Sequence, residues 1–221
     1  MRQEIIRQIL RDRLIVIVRR FPFSQITRLV PALQAGGVTL VESTFDQARP
    51  DCIAENVRCI RAIIRAGGDR ILVGAGTVLT VEQVQAAAEA GARYIISPNT
   101  DPAVIAETRR LGLAAIPGAL TPTEIVKAWQ AGADLVKLFP ADDLGIHYIR
   151  NLRGPLPHIP LLAAGGVNPE SIPDFHAAGI QAFGTNISIL PPQLVAAENY
   201  DEITRLARLH ITAIQACTRE E

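Results

Sequence analysis

The chain has no excess of charge of either sign and no long apolar run. Its 221 residues include 22 Lys and Arg and 22 Asp and Glu, which gives a formal net charge of zero. Proteins that bind nucleic acid or anionic membranes through their overall field need a basic surplus. No apolar stretch approaches the ~20 residues that a membrane-spanning helix requires. The sequence therefore predicts neither a nucleic-acid partner nor a membrane partner.

Cysteine is rare, and histidine shows no metal-binding spacing. The cysteines form no CxxC pair and are predicted to be buried or incidental thiols in a reducing cytoplasm: Cys52, Cys59 and Cys217. The histidines are predicted to be surface or structural residues: His147, His158, His176 and His210. Residues 1–13 form a charged amphipathic pattern, unlike the apolar core of a secretory signal. We expect a cytoplasmic protein that needs neither a metal nor a cofactor.

Lysine is scarce, and one of the two lysines interrupts an apolar segment. The other twenty basic residues are all arginine, while Lys137 lies within the run 134–140. A buried ammonium must find a charged partner or lose its proton, because its desolvation is costly. Desolvation lowers a lysine pKa from ~10.4 toward neutrality, which yields an amine that can form a Schiff base with a ketone. The alternative is a side chain that reaches solvent at the strand end and has no chemical role.

Short aliphatic segments alternate with longer segments of helical periodicity. The predicted strands cover residues 14–19, 39–44, 70–73, 93–97, 114–116, 135–139, 160–163 and 181–184. The predicted helices cover residues 24–35, 50–66, 80–90, 101–111, 121–131, 144–152, 168–178 and 199–218, after one leading helix. Thr80, the capping box at Thr121 and the similar Asn168-Pro169-Glu170 run are helix start signals.

Apolar strands that alternate with helices are typical of a parallel sheet covered on both faces. Eight strand–helix units in 221 residues predict a (β/α)8 TIM barrel with an extra N-terminal helix, and a single domain over residues 1–221. An open doubly wound sheet is the alternative.

Two residues on opposite strands of that barrel make a chemically useful pair. Glu42 lies late in predicted strand 2 and Lys137 late in predicted strand 6, so both reach the mouth at the carboxyl ends of the strands. The amine can add to a ketone, and the carboxylate can move the protons that each step requires. The alternative is a salt bridge in which Glu42 only neutralises Lys137. We assign both residues to catalysis.

The loops after predicted strands 7 and 8 contain glycines at the usual phosphate position of such barrels. Glycine permits close approach of backbone N–H groups to an anion, and Thr185 and Asn186 add side-chain donors. The predicted phosphate-binding residues are Gly165, Gly166, Val167, Gly184, Thr185 and Asn186. The Gly74-Ala75-Gly76 run lacks the full dinucleotide pattern and predicts no nicotinamide site.

With these residues together, the chain resembles the 2-keto-3-deoxy-6-phosphogluconate/phosphogalactonate aldolase family, which are class I aldolases of the pyruvate type. The resemblance extends from about residue 14 to 207. Its most specific parts are residues 73–79 (VGAGTVL), 96–99 (ISPN), 136–141 (VKLFPA) and 165–170 (GGVNPE).

The resemblance implies roles for individual residues and a reaction. It implies that Lys137 is the Schiff-base lysine, that Glu42 is the general acid/base and that the two glycine loops hold a phosphate. It also implies four substrate-binding residues: Arg19, Thr77, Pro98 and Phe139. The substrate would be a phosphorylated keto sugar acid, cleaved to pyruvate and glyceraldehyde 3-phosphate by a homotrimer.

The sequence departs from the family pattern at Asp46. The phosphogluconate branch has an arginine four residues after the glutamate, where it contacts the substrate carboxylate. Because an aspartate would repel that carboxylate, either Asp46 points elsewhere or the carboxylate is held differently, with Arg19 and backbone N–H groups as the candidates. The phosphogalactonate branch also lacks the arginine, which favours that branch. Two other functions remain open: another phosphate-binding barrel enzyme (isomerase, epimerase or synthase), or a non-catalytic sugar-phosphate binding protein.

Overall fold

Parallel strands form the central sheet of the computed structural model, which describes residues 2–218. In this part of the chain the nine strands are β1 (Leu14–Val18), β2 (Leu40–Thr44), β3 (Leu72–Gly76), β4 (Tyr94–Ile96), β5 (Ala114–Ile116), β6 (Gly118–Ala119), β7 (Val136–Leu138), β8 (Leu161–Ala164) and β9 (Ala182–Thr185). They are hydrogen-bonded in the order β5-β4-β3-β2-β1-β9-β8-β7-β6.

The sheet closes on itself because β5 and β6 occupy one strand position, interrupted at Pro117. β5 pairs with β4 on one side, and β6 pairs with β7 on the other. Backbone hydrogen bonds from Lys137 N to Pro117 O and from Asp134 N to Ala115 O, each 2.8 Å, join the two sides of the seam. The eight strand positions form a ring, so the predicted (β/α)8 barrel is confirmed and the open sheet is excluded.

Helices surround the barrel. Within residues 2–218 they are α1 (Arg2–Asp12), α2 (Ile26–Ala35), α3 (Cys52–Gly67), α4 (Val81–Ala90), α5 (Pro102–Arg110), α6 (Pro122–Gln130), α7 (Gly145–Arg153), α8 (Ile172–Ala177), α9 (Pro192–Ala196) and α10 (Tyr200–Thr218). All eight predicted helices and the leading helix are present, and α9 lies in a loop where no helix was predicted. In the described part of the chain, no helix has the length and apolar character needed to cross a bilayer.

Two of the three predicted helix starts are correct. Thr80 accepts a hydrogen bond from the amide of Gln83, and Thr121 and Glu124 form the predicted capping box. The predicted start at Asn168 is wrong, because α8 begins only at Ile172. Asn168 and Ser171 instead accept hydrogen bonds from each other's amides, at 2.8 and 3.0 Å. The segment between β8 and α8 therefore remains a loop at the mouth.

The extra N-terminal helix closes the lower end of the barrel. Ile5 and Ile9 of α1 are buried against the inward-facing side chains near the strand starts, among them Ile15 and Leu40. The Arg2 guanidinium lies 3.3 Å from a carboxylate oxygen of Asp134 and ties the helix to the segment before β7. The lower end is thus closed by packed apolar side chains.

Candidate active site

Lys137 lies in the middle of β7 with its side chain inside the barrel. The residue is only 6% exposed, and its Nζ lies 4.6 Å from the centroid of the Phe139 ring. Burial lowers the pKa of Lys137 and the positive charge of Arg19 acts in the same direction, whereas the charge of Glu42 raises it. The amine is therefore biased toward its neutral, nucleophilic form.

Glu42 faces Lys137 from the opposite side of the ring. β2 and β7 are four strand positions apart in both directions, and Glu42 is 2% exposed. Burial raises the pKa of the Glu42 carboxyl, while the charges of Lys137 and Arg19 lower it. Its Oε2 is buried without a hydrogen-bond partner among the described residues. A buried, unpaired carboxyl oxygen is costly, which indicates that it serves a bound molecule.

Glycines on β3 make room for this carboxyl group. A Cβ at Gly76 would overlap the Glu42 carboxyl, and a Cβ at Gly74 would overlap the ring of Tyr94. The Gly74-Ala75-Gly76 run therefore belongs to the strand, and the predicted end of strand 3 at residue 73 is wrong. Its alternate positions face the crowded interior, where only glycine fits between larger neighbours.

Tyr94 is a residue of the site that sequence reasoning missed. It is fully buried, and its hydroxyl donates a 2.8 Å hydrogen bond to the carbonyl of Val41, next to Glu42. Burial raises the pKa of Tyr94 well above its usual value, and the charge of Glu42 adds to the effect. The alternation of β4 could have placed Tyr94 inside the barrel, but nothing local links it to β2.

Side chains connect the loops after β1, β2 and β3. Arg19 lies just after β1 and donates a 3.1 Å hydrogen bond from Nη2 to Oγ1 of Thr77. Gln47 donates a 2.6 Å bond to the carbonyl of Thr77 and accepts a 2.9 Å bond from Gln83. Arg19 and Thr77, which were predicted to bind substrate together, are thus brought together.

Asp46 pairs with Arg20 and lines the same cavity as Arg19 and Thr77. The Arg20 guanidinium donates hydrogen bonds of 3.0 and 3.1 Å to the two carboxylate oxygens. This bidentate contact lowers the pKa of Asp46. The repulsion expected between Asp46 and a substrate carboxylate is therefore reduced by a cation that sequence reasoning did not assign to the site.

A pocket of about 520 Å³ opens at the mouth beside Lys137. Its lining includes these predicted site residues: Arg19, Lys137, Phe139, Gly165, Gly166, Val167, Gly184, Thr185 and Asn186. Thr77 lines a smaller cavity of about 200 Å³ that Arg19 shares. Pro98 lines a third cavity of about 600 Å³, which Phe139 shares. Phe139 thus separates the cavity at Pro98 from the pocket at Lys137.

The two glycine loops meet at one wall of this pocket. Gly165 and Gly166 have φ values of +103° and +67°, which favour glycine. A Cβ on either would also collide with Asp142. Among residues 2–218, no backbone hydrogen bond uses the amides of Gly166 and Val167. These N–H groups can therefore receive an anion.

The side chains of Thr185 and Asn186 donate hydrogen bonds within the protein. Thr185 Oγ1 donates a 3.0 Å hydrogen bond to the carbonyl of Val167, and Asn186 Nδ2 donates to the carbonyl of Ile17. These bonds join the loop after β9 to the loop after β8 and to β1. The side chains thus order this wall of the pocket, and the donors left for an anion are backbone amides and the second N–H of the Asn186 side chain.

No metal cluster accompanies these residues: residues 2–218 contain no group of three or more His, Cys, Asp or Glu side chains that could hold a metal ion. The site offers instead a buried amine, a buried carboxyl group and a wall of amides. Comparison with known proteins agrees with this chemistry. The family model described as "KDPG and KHG aldolase" matches residues 5–206.

The chain belongs to the KDPG and KHG aldolase family.

Relatives in this family carry both sugar-acid names. The chain is 36% identical over 186 residues to a probable 2-dehydro-3-deoxy-6-phosphogalactonate aldolase of Rhizobium meliloti (strain 1021), with 84% of this chain and 85% of that protein covered. It is 34% identical over 200 residues to a 2-dehydro-3-deoxy-phosphogluconate aldolase of Treponema pallidum (strain Nichols), with 90% and 91% covered.

Solved structures of the KDPG and KHG aldolase family share the fold. A structure described as native KDPGal has a TM-score of 0.83 and 32% identity, over 93% of this chain and 96% of that one. The KDPG aldolase of Legionella pneumophila has a TM-score of 0.79 and 26% identity, over 89% and 93%. That structure holds pyruvate, captured at low pH as a covalent carbinolamine intermediate.

Proposed function

We propose that this protein is a class I aldolase that cleaves a 2-keto-3-deoxy-6-phospho sugar acid to pyruvate and glyceraldehyde 3-phosphate. The observation that carries the proposal is the buried amine of Lys137 opposite the buried carboxyl group of Glu42, whose Oε2 lacks a partner among the described residues. The covalent pyruvate adduct in the Legionella relative supports the same chemistry.

The first step joins Lys137 to the substrate ketone. The neutral Nζ attacks C2, and the former carbonyl oxygen leaves as water after it receives protons from the amine and from the Glu42 carboxylic acid. The result is an iminium ion between Nζ and C2. The raised pKa of Glu42 and the lowered pKa of Lys137 suit this step, because one group must give a proton and the other must lack one.

The second step breaks the carbon–carbon bond. The Glu42 carboxylate takes the proton of the C4 hydroxyl, the C3–C4 bond breaks, and its electron pair moves into the iminium to form an enamine. Glyceraldehyde 3-phosphate leaves. C3 of the enamine then takes a proton back from Glu42, and water adds to C2. Collapse of that adduct releases pyruvate and restores the free amine.

The remaining residues hold the two charged ends of the substrate. We assign the substrate carboxylate to Arg19 with Thr77, and the pyruvyl carbons to the pocket walls at Pro98 and Phe139. The 6-phosphate is assigned to the amides of the loop after β8 and of the end of β9 with its following loop, at Gly165, Gly166, Val167, Gly184, Thr185 and Asn186. Glycines and free amides are what an anion-binding turn requires.

Borohydride trapping tests the proposal. The protein is incubated with pyruvate, reduced, digested and analysed by mass spectrometry. We expect a reduced pyruvyl adduct on Lys137 and none on Lys127, the other lysine of the sequence. Lys137→Met should abolish the adduct and turnover, while the exposed matched control Lys127→Met should keep both. An unmodified Lys137, or full activity of Lys137→Met, would contradict the proposal.

Between the two sugar-acid epimers, we propose the galactonate acid as the substrate. Asp46 stands where the gluconate-type enzymes have an arginine, and its carboxylate is occupied by Arg20. Pyruvate release measured side by side on the two epimers tests this preference. A higher kcat/KM for the gluconate epimer would contradict it.

We also propose that the chain folds as one domain and assembles as a cytoplasmic homotrimer, as its family resemblance implies. Light scattering should give a mass three times that of the 23.9 kDa chain. A monomer mass at micromolar concentration would contradict the assembly.

A further inference from the structure

A buried histidine lies behind the phosphate wall. His210 is in the outer helix α10 and is 0% exposed. Its Nδ1 lies 2.8 Å from the carbonyl of Leu206, and its Nε2 lies 2.8 Å from Oγ of Ser188. A carbonyl oxygen can only accept, so Nδ1 carries the proton and the neutral ring accepts at Nε2. The Ser188 hydroxyl is therefore the donor to His210.

The neutral state of this ring follows from its surroundings. Burial lowers the pKa of His210, while the Leu206 carbonyl and the charge of Glu170 act in the opposite direction. A neutral ring with both nitrogens bonded is stable inside a protein. Such a histidine could be purely structural, so the position of Ser188 decides whether it matters for function.

Ser188 belongs to the tight turn that borders the pocket. The carbonyl of Asn186 accepts hydrogen bonds from the amides of Ile189 and Leu190, at 3.0 and 2.7 Å, which folds residues 186–190 into a turn. Ile187 and Ser188 both line the pocket beside Lys137. Ile187 is 67% exposed and so contributes little packing of its own.

The contacts that hold this turn differ at its two ends. Asn186 is bonded to β1 through the carbonyl of Ile17, and Thr185 to the preceding loop through Val167. At the far end, the Ser188 hydroxyl bond reaches α10 through His210. Within residues 2–218, no backbone hydrogen bond uses the amides of Ile187 and Ser188. The Ser188–His210 bond thus orders the stretch of the turn whose donors are free.

We propose that His210 is a positioning residue for phosphate: through Ser188 it holds the Ile187 and Ser188 amides in the orientation that receives the 6-phosphate of the substrate. The inference rests on the proposed function and adds to it a residue that never touches the substrate. A preordered turn binds an anion more tightly because less conformational entropy is lost on binding. We call the Ser188–His210 hydrogen bond the latch. Its loss should weaken phosphate binding and leave the chemistry at Lys137 unchanged.

Three variants test this inference. Ser188→Ala removes the donor, and His210→Phe removes the acceptor while it fills the space. His210→Gln keeps an acceptor near the position of Nε2. We expect the first two to raise KM for the phosphorylated substrate by about 5- to 20-fold, as for the loss of one hydrogen bond plus loop ordering. kcat should change by less than about twofold, and His210→Gln should restore most of the loss. The exposed His147→Phe is the matched control and should leave KM unchanged.

Two measurements separate this latch from a general structural role. The unphosphorylated keto-deoxy sugar acid should show the same KM in all variants, and the rate of borohydride trapping with pyruvate should not change. Titration with inorganic phosphate, which needs no turnover, should show weaker binding in Ser188→Ala. Equal losses on both substrates, or unchanged phosphate affinity in Ser188→Ala, would overturn the latch.

The failure of this inference and the failure of the proposed function give different results. If wild-type Lys137 traps pyruvate while Ser188→Ala binds phosphate normally, the latch alone fails. If wild-type Lys137 forms no adduct with pyruvate, the proposed function fails. The phosphate titration of Ser188→Ala then still tests whether the turn binds an anion. If His210→Phe does not fold, as a thermal melt would show, Ser188→Ala decides the question by itself.

Discussion

The two ends of the barrel interior differ in chemistry although the same strands build them. On β2, Leu40 faces the lower end and Glu42, two residues later, faces the mouth. Leu135, just before β7, faces the lower end, and Lys137 faces the mouth. Residues two apart on a strand point to the same face of the sheet. An advance of two residues along β2 or β7 therefore leads from an apolar layer of the interior to a charged one.

This contrast shows how the fold separates stability from reactivity. The lower layer is sealed by Ile9 and its neighbours, each worth about 1.5–3 kcal/mol when fully buried. The upper layer buries an amine and a carboxyl group that would be more stable in water. The favourable free energy of apolar burial at the lower end therefore offsets the cost of burying charged groups at the upper end. Substitutions at the lower end should reduce stability, whereas substitutions at the upper end should reduce activity.

The largest effect is expected from removing the acid of the upper layer. Glu42→Gln keeps the shape of the side chain but cannot shuttle protons, so kcat should fall by about 10²- to 10⁴-fold. Steady-state pyruvate release measures the change. Thermal stability should remain at or above the wild-type value, and the exposed Glu89→Gln is the control. A loss of less than tenfold would mean that another group moves the protons.

The matching change at the lower end should act on stability alone. Ile9→Ala leaves a cavity where the side chain is fully buried, and it should lower the free energy of unfolding by about 2–5 kcal/mol. The kcat measured well below the melting temperature should stay within about twofold of wild type. Ile187→Ala, at an exposed position of the mouth, should cost almost no stability by contrast. A large loss of kcat in folded Ile9→Ala would contradict the separation of the two ends.

A smaller effect is expected from crowding the upper layer. Gly76→Ala introduces a Cβ that overlaps the Glu42 carboxyl, so the carboxyl group must move. Misplacement of a catalytic group should lower kcat by about 10- to 100-fold, with the trapped Lys137 adduct still detectable. Gly154→Ala is a suitable control, because the Cβ there would make only an ordinary 3.6 Å contact with the carbonyl of Asn151. Wild-type kcat in Gly76→Ala would show that the position of Glu42 is not critical.

The smallest expected effect is a pH shift whose sign depends on the charge removed. The Glu42 charge raises the pKa of Lys137 and the Arg19 charge lowers it. Removing the acid in Glu42→Gln should therefore lower that pKa, and removing the guanidinium in Arg19→Leu should raise it. The acid limb of the pyruvate trapping rate should move to lower pH in the first variant and to higher pH in the second, each by about one unit or less. Shifts in the same direction would contradict the electrostatic coupling of these groups.

Much of the architecture could be predicted because its signals are local. Strand alternation, the Thr121 capping box and the glycine turns depend on neighbours within a few residues, and the predicted barrel and its helices are confirmed. The resemblance to the aldolase family is confirmed as well. Strand β3 was predicted too short because Gly74 and Gly76 are typical of loops. Glycine is required at these two positions because a Cβ would overlap Tyr94 or Glu42, which are distant in sequence.

The parts that could not be predicted are contacts between distant segments. Two examples are the pairing of Asp46 with Arg20 and the hydrogen bond between Ser188 and His210. Each joins residues more than 20 positions apart in the sequence. Thr185 and Asn186 were correctly recognised as polar residues of the mouth. Each side chain, however, donates a hydrogen bond within the protein, and only the folded loops determine that use.

The sequence by itself determined the alternation of strands and helices and the rarity of lysine, and it made one lysine chemically conspicuous. It did so because periodicity and desolvation cost are properties of short segments. The tertiary structure alone decided that Lys137 faces Glu42, since closure of the ring at Pro117 sets β7 four strand positions from β2. It also decided the protonation preferences of that pair, because a pKa depends on burial and on charges that only the fold brings near.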